Sequence, residues 1–235
     1  MKKLLLVFAL SASFAVPALG ANARQDTIQR LDWSKEVLRA IMSAPDKGIP
    51  EEVFNDAKCI AIVPHLVKGG FIVGGKHGRG VATCRTGKGW SAPAFLSVGG
   101  GNFGLQIGLQ QVDLIMMIMN DKGMQHLLSS KFQIGADASA AAGPVGRHAS
   151  AGTDWTLATE ILTYSRARGA FAGLTLEGAV VQPDDDSTLA AYGHRVPFSS
   201  ELTGKVATPP IAKAFIAQVS SSHYKAVREN AKESK

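Results

Sequence analysis

The sequence predicts an α+β fold: a single domain with a strongly curved, glycine-rich antiparallel β-sheet, flanked by N-terminal and C-terminal helices. Three observations predict it. Apolar residues recur at helical spacing before residue 58 and after residue 209. Between them, short apolar runs alternate with turn residues, as strands do. Most of the 25 glycines fall between Gly69 and Gly178, where they permit sharp strand bends and close backbone approach. No linker rich in proline, glycine and serine divides the chain. One domain is therefore expected over 24–230, with N-terminal helices at 24–58, a β-rich core at 59–193 and a C-terminal helix at 209–230.

The first twenty residues read as a separate object. Lys2 and Lys3 precede an apolar run from Leu4 to Val16, then Pro17 and small residues. This is the pattern of a secretory signal peptide, too short for a comfortable membrane span. It predicts a periplasmic or secreted protein. The net charge is +6, of which Lys2 and Lys3 supply two. A mild positive excess suits anionic lipid surfaces and is too small to argue for nucleic acid.

Residues 24–43 read as an amphipathic helix. Ile28, Leu31, Leu38, Ile41 and Met42 share a face, with Trp33 and Val37 beside it. Two readings compete: a helix packed on its own domain, or one lying on a membrane with Trp33 at headgroup level and Leu38 and Ile41 in contact. Pro50, Glu51 and Glu52 open a second, short helix. Residues 59–64 read as a strand. Residues 71–73 and 81–84 read as a hairpin whose glycine-rich tip carries Lys76, His77 and Arg79. Residues 90–98 and 105–119 read as further strands, the second buried on both faces at its far end. Asn120 caps a brief helix to Leu128. Residues 132–142 read as extended, 155–164 and 169–181 as strands, and 184–187 as a solvated acidic turn into a short helix near Tyr192. Residues 194–208 look irregular, and Pro209 starts the last helix.

Several motifs fail on inspection. GFIVGGKH at 70–77 nearly matches a P-loop, but His77 replaces the magnesium-binding hydroxyl and no helix follows. The glycines at 99–104 precede a strand and not a dinucleotide-fold helix. No two histidines at i and i+4 flank a glutamate as a helical zinc protease needs, no G-x-S-x-G elbow is present, and no nucleophile pairs with a base. A non-catalytic protein without metal or cofactor is expected. Asp113, inside an apolar strand, needs a partner for its carboxylate. Cys59 and Cys84 are a possible disulfide in an oxidising compartment, if their strands are neighbours.

Taken together, KGGFIVGG at 68–75, GWSAPA at 89–94, GLQIG at 104–108, VDLIMMI at 112–118, GADASAAA at 135–142 followed by GPVGR at 143–147, YSRARGAFAGLTLEG at 164–178 and AYG at 191–193 resemble the SYLF domain family. The likeness runs from about residue 50 to 193. It implies a lipid-binding module without enzymatic activity. Eukaryotic relatives bind phosphoinositide-containing membranes and some fungal members bind actin filaments, whereas bacterial members are secreted or envelope proteins. The export pattern, and the lack of an SH3 or FYVE pattern in this chain, point away from actin and phosphoinositides. They point toward an anionic bacterial phospholipid. The headgroup-binding residues expected from charge are Lys68, Lys76, His77, Arg79, Arg147, Arg166 and Arg168. The alternative is an envelope domain that binds a protein partner without direct lipid contact.

Overall fold

The computed structural model describes residues 18–44, 48–70, 73–103, 108–129, 131–144, 159–167, 170–172 and 176–233. Side chains at 18–21, 70, 73, 102–103, 108–109, 170–172 and 225–233 are not described. Most of the predicted export segment, together with Arg147 and Arg168, lies outside the described residues.

The chain forms helices α1 (Ala18–Met42) and α2 (Glu51–Asp56), then strands β1 (Cys59–Gly70), β2 (Val73–Thr86), β3 (Gly89–Trp90), β4 (Ala94–Phe103) and β5 (Gly108–Ile118). Helix α3 (Asp121–Leu128) is followed by β6 (Phe132–Gln133), β7 (Ala140–Ala142), β8 (Ile161–Ala167), β9 (Ala170–Ala172) and β10 (Val180–Pro183). Helices α4 (Asp185–Tyr192) and α5 (Phe198–Leu202), a 3-10 turn (Pro210–Ala212) and α6 (Lys213–Glu233) complete it. This is the expected α+β domain, with helices at both ends of the chain.

The strand order β6-β10-β4-β2-β1-β5-β8-β7 explains the curvature. Laid flat at about 4.8 Å per strand, these eight strands would be roughly 34 Å wide. Yet the outermost strands, β6 and β7, are separated in sequence only by residues 134–139. Six linking residues reach at most about 25 Å, and here they are coiled into a turn in which Gly135 N–H donates to Ala138 O at 2.8 Å. The sheet therefore curls into a half-barrel whose edges approach each other. Residues 132–142, expected as one extended segment, are instead this turn and two edge strands.

The curled sheet has two covered faces. On the helix side, Ile60, Ile62, Val81, Phe95, Ile115 and Tyr164 pack with Leu31, Leu38 and Ile41 of α1, Phe54 of α2 and Phe215 and Val219 of α6. On the inner face, Cys59, Ala61, Val63, Leu66, Cys84, Leu96 and Leu114 pack with Leu127 of α3 and Leu202 of α5. The inner side of β2 is crowded. A Cβ on Gly80 would lie 2.4 Å from Ile62 O and 2.7 Å from Val63 Cγ2, so glycine there is a packing requirement. Cys59 and Cys84 stand directly opposite in the β1–β2 register and are bonded, with both residues fully buried.

Three local expectations need correction. Pro64 does not end the first strand: β1 continues past it, and its pairing shifts register on both sides at Pro64–His65. A bulge accommodates a proline that lacks an N–H, and it puts His65 at φ 53°, a left-handed conformation uncommon outside glycine. Second, Gly74 to Gly80 are not a hairpin tip but the body of β2, with Lys76 opposite Lys68. Third, the 194–208 segment contains α5, whose Glu201 is fully buried. Elsewhere Asn120 caps α3 as expected, its side chain accepting from Gly123 N–H at 2.9 Å.

Burial pushes the Glu201 carboxyl up to about 8, with the nearby Asp185 charge adding to the effect. A glutamate raised above its unfolded value of about 4.3 stabilises the fold fully below that value and loses the contribution as pH rises through about 8. Glu201→Gln is expected to remove this component. The difference in urea midpoint between variant and wild type should therefore shift in the variant's favour from pH 5 to pH 8.5, and a pH-independent difference would refute the assignment.

Candidate functional site

Side chains alternate across a strand, and this divides the predicted basic cluster. Val67 pairs with His77, and Lys68 with Lys76. Lys76 Nζ donates to Glu177 O at 2.8 Å, beside Leu176 and Ala179 of the inner core. Lys68 and Lys76 therefore face inward. Val67, His77 and Arg79 lie on the opposite, helix-side face.

Arg79 is not a free cation there. It makes a two-pronged contact with Asp184, Nε to Oδ2 at 2.8 Å and Nη2 to Oδ1 at 3.1 Å. Arg30 of α1 donates to the same Oδ2 at 3.0 Å and to Ser187 Oγ at 2.7 Å. Ser187 donates its hydroxyl to Asp184 Oδ2 at 2.7 Å, and its N–H to Oδ1 at 3.2 Å, capping α4. The acidic turn at 184–187 is thus not simply solvated: Asp184 is a buried node joining α1, β2 and α4. Burial opposes its ionisation, but the bonds from Arg79 and Ser187 prevail and hold the carboxyl below the usual aspartate value. Arg30 moves the other way, lowered chiefly by burial and then by Arg79. Arg166 is similarly engaged, with Nε 3.5 Å from Asp113 Oδ2. Asp113 Oδ1 accepts the bulge N–H of His65 at 3.1 Å, which supplies the partner its burial requires.

The helix-contact residues divide too. Leu38 and Ile41 have no exposed surface: they fill the core against the sheet, so they are not available to a membrane while α1 is docked. Trp33 lies on the outer side of α1 and is 40% exposed. Its ring meets His65 edge-on, with centroids 4.4 Å apart. Val67, just beyond the bulge, is 38% exposed, and His77, Gly75, Gly101 and Gln111 nearby are exposed as well. At Gly75 and Gly101 a Cβ would meet only backbone, at 3.8 Å. Glycine at these two positions leaves the outer face flat without being demanded by packing. Among the described residues, the helix layer stops short of this end of the sheet, leaving an open face bordered by an aromatic ring. Sequence reasoning did not single out Val67 or His65. Pro64 inside a strand-like run was the one available signal of a bulge.

Among the described residues, no group of three or more His, Cys, Asp or Glu side chains is placed to hold a metal. No helix among them is long and apolar enough to cross a membrane, which says nothing of strands.

Removing the Asp184 carboxylate would strand Arg30, whose side chain is buried. Breaking a buried ion pair in this way typically costs about 3–5 kcal/mol. Asp184→Ala should lower the denaturation midpoint by that order, and Arg79→Ala, at the more exposed partner, by less. Since the Asp184 carboxyl is lowered in the fold, its contribution is present above about pH 4 and is lost as pH falls further. The Ala variant should therefore close on wild type in acid, and an equal penalty at pH 3 and pH 7 would exclude the node.

Residues 99–222 match the family model described as Ysc84, Las17-binding protein actin regulator. An SH3 domain-containing protein of Schizosaccharomyces pombe, PJ696.02, is 33% identical over 168 residues, covering 70% of this chain and 39% of that protein. Protein YSC84 of Saccharomyces cerevisiae is 28% identical over 189 residues, 79% of this chain and 40% of its own length. The SH3 domain-containing YSC84-like protein 1 of Rattus norvegicus is 29% identical over 173 residues, 73% and 51%. The chain spans about half the length of these relatives, or less.

Proposed function

Since this chain belongs to the Ysc84 family, the SYLF domain family, whose model is described as a Las17-binding protein actin regulator, we propose that it is a non-catalytic module that associates with anionic phospholipid. The membrane is a bacterial envelope membrane, met from the periplasmic or outer side by a peripherally bound protein. The observation that carries this reading is the open helix-side face, where Trp33 and Val67 are exposed beside His77. A half-exposed tryptophan at the border of a flat surface is suited to the headgroup level of a bilayer, where its ring is buried and its N–H stays wet. The basic excess of the chain adds attraction to anionic lipid, about 1 kcal/mol for each lysine or arginine close to the surface. The bonded cysteines fit an oxidising compartment, which supports export and the leader-like pattern at 1–20.

A second reading has its own observation. Relatives are named LAS seventeen-binding protein 3 in Saccharomyces cerevisiae, and a protein partner could occupy the same open face. Salt and lipid charge would then have little effect on binding.

Flotation with liposomes separates the two. The protein is expected to float with vesicles containing phosphatidylglycerol or cardiolipin, not with neutral phosphatidylcholine, and less in high salt. Trp33→Ala should weaken the partition by about 1–2 kcal/mol, five- to thirtyfold, with an unchanged melting temperature. Absence of flotation under every condition would reject direct lipid binding.

A further inference from the structure

The division of the basic residues leaves one pair that the open face does not use. Lys68 and Lys76 stand opposite each other on β1 and β2, on the inner face, at the far end of the strands from the cysteine pair. Side chains so placed have Cβ atoms about 4.5–5.5 Å apart, and like charges there repel. Both are also withdrawn from water: Lys76 is 9% exposed and Lys68 is half-buried. Such an arrangement is unfavourable unless an anion completes it.

The protein itself completes it only in part. An ammonium offers three N–H donors. Lys76 uses one on Glu177 O at 2.8 Å, and the Glu177 carboxylate acts on it from the exposed turn. No described residue forms a hydrogen bond or ion pair with the Lys68 ammonium. Gln110 flanks Lys68 in register on β5, and Gly100 flanks Lys76 on β4. A Cβ on Gly100 would lie 2.6 Å from Gly178 O, so the 177–179 turn covers the β4 side of Lys76 and the pair opens toward Lys68. Burial and then the neighbouring lysine lower Lys68, and burial lowers Lys76, in keeping with two cations that lack a full counter-charge.

The geometry points to a discrete oxyanion site at the inner mouth of the half-barrel, in which Lys68 and Lys76 together take the terminal phosphate of a monoester. Two converging ammonium groups match a group with three free oxygens and a charge near −2 better than a diester with two oxygens and a charge of −1. The phosphate comes either from a lipid headgroup of the phosphatidic acid kind or from a soluble phosphomonoester. Only the first source rests on the phospholipid reading above. The site lies on the face opposite Trp33, so it is separable from the open face.

Glycerol 3-phosphate and dimethyl phosphate are titrated against the full chain, with the heat of binding as the readout for wild type and variants and NMR signals of the lysine side chains to locate the site in wild type. Saturable shifts at Lys68 and Lys76 are expected with the monoester, with at least about fivefold weaker binding of the diester, as one extra charge at the site implies. Lys68→Gln/Lys76→Gln, which also gives up the Lys76–Glu177 bond, should abolish the monoester response. Lys68→Gln alone should weaken it. Flotation on vesicles of phosphatidic acid against phosphatidylglycerol, at matched surface charge, identifies the source. A phosphatidic acid preference lost in the double variant supports the headgroup, and monoester binding without that preference supports a soluble ligand. If no vesicle binds but glycerol 3-phosphate still saturates the pair, the site stands and the membrane reading falls. No shift at either lysine, or an undiminished response in the variants, overturns the site.

Discussion

The short link between β6 and β7 governs the architecture. These strands are the two ends of an eight-strand path, yet six residues join them, so the sheet can only exist curled. Curling gives it an inner face, filled by aliphatic side chains such as Leu66, Leu96 and Leu114 and kept passable on β2 by glycines such as Gly80, whose replacement would strike Ile62 and Val63. It also gives an outer face wide enough to carry α1, α2 and α6. Among the described residues, the helices cover the Cys59–Cys84 end of the outer face and leave the Val67–His77 end open. Both candidate surfaces are thus consequences of one closure constraint: an open flat face outside, and a lysine-lined mouth inside.

The Asp184 node fixes the helix layer on that sheet. Arg30, Arg79 and Ser187 converge on one carboxylate, and α1, β2 and α4 are held at a common point. Because α1 is held there and its Leu38 and Ile41 are core residues, Trp33 is presented as a fixed ring on the border of the open face. It does not need the helix to peel away. The bulge at Pro64–His65 serves the same end. It shifts the strand so that the His65 ring meets Trp33 while its N–H is held by Asp113.

Local signals in the sequence carried much of the fold. Asn120 before α3 and Pro209 before the last helix are end signals with a direct physical cause, and the 59–64 and 112–118 runs are apolar enough to mark central strands. What was not legible depends on contacts distant in sequence. Asp184 reads as part of a wet acidic turn until Arg30, 154 positions earlier, is brought to it. Lys76, His77 and Arg79 read as one cluster because their strand was mistaken for a turn; once extended, alternation sends Lys76 to one face and the other two to the opposite one. The helical pattern of 24–43 could not tell a buried face from a membrane face, since Leu38 and Ile41 satisfy both. The family resemblance identified the family but not these faces.

The central claim is that the open face around Trp33 is what touches the bilayer. It is tested most directly by the emission of Trp33 alone, in a variant carrying Trp90→Phe and Trp155→Phe, mixed with anionic vesicles that contain lipids brominated along the acyl chain. The account predicts a blue shift and strong quenching with anionic vesicles, and neither with neutral ones. Binding of the protein with the Trp33 emission unchanged and unquenched would contradict it.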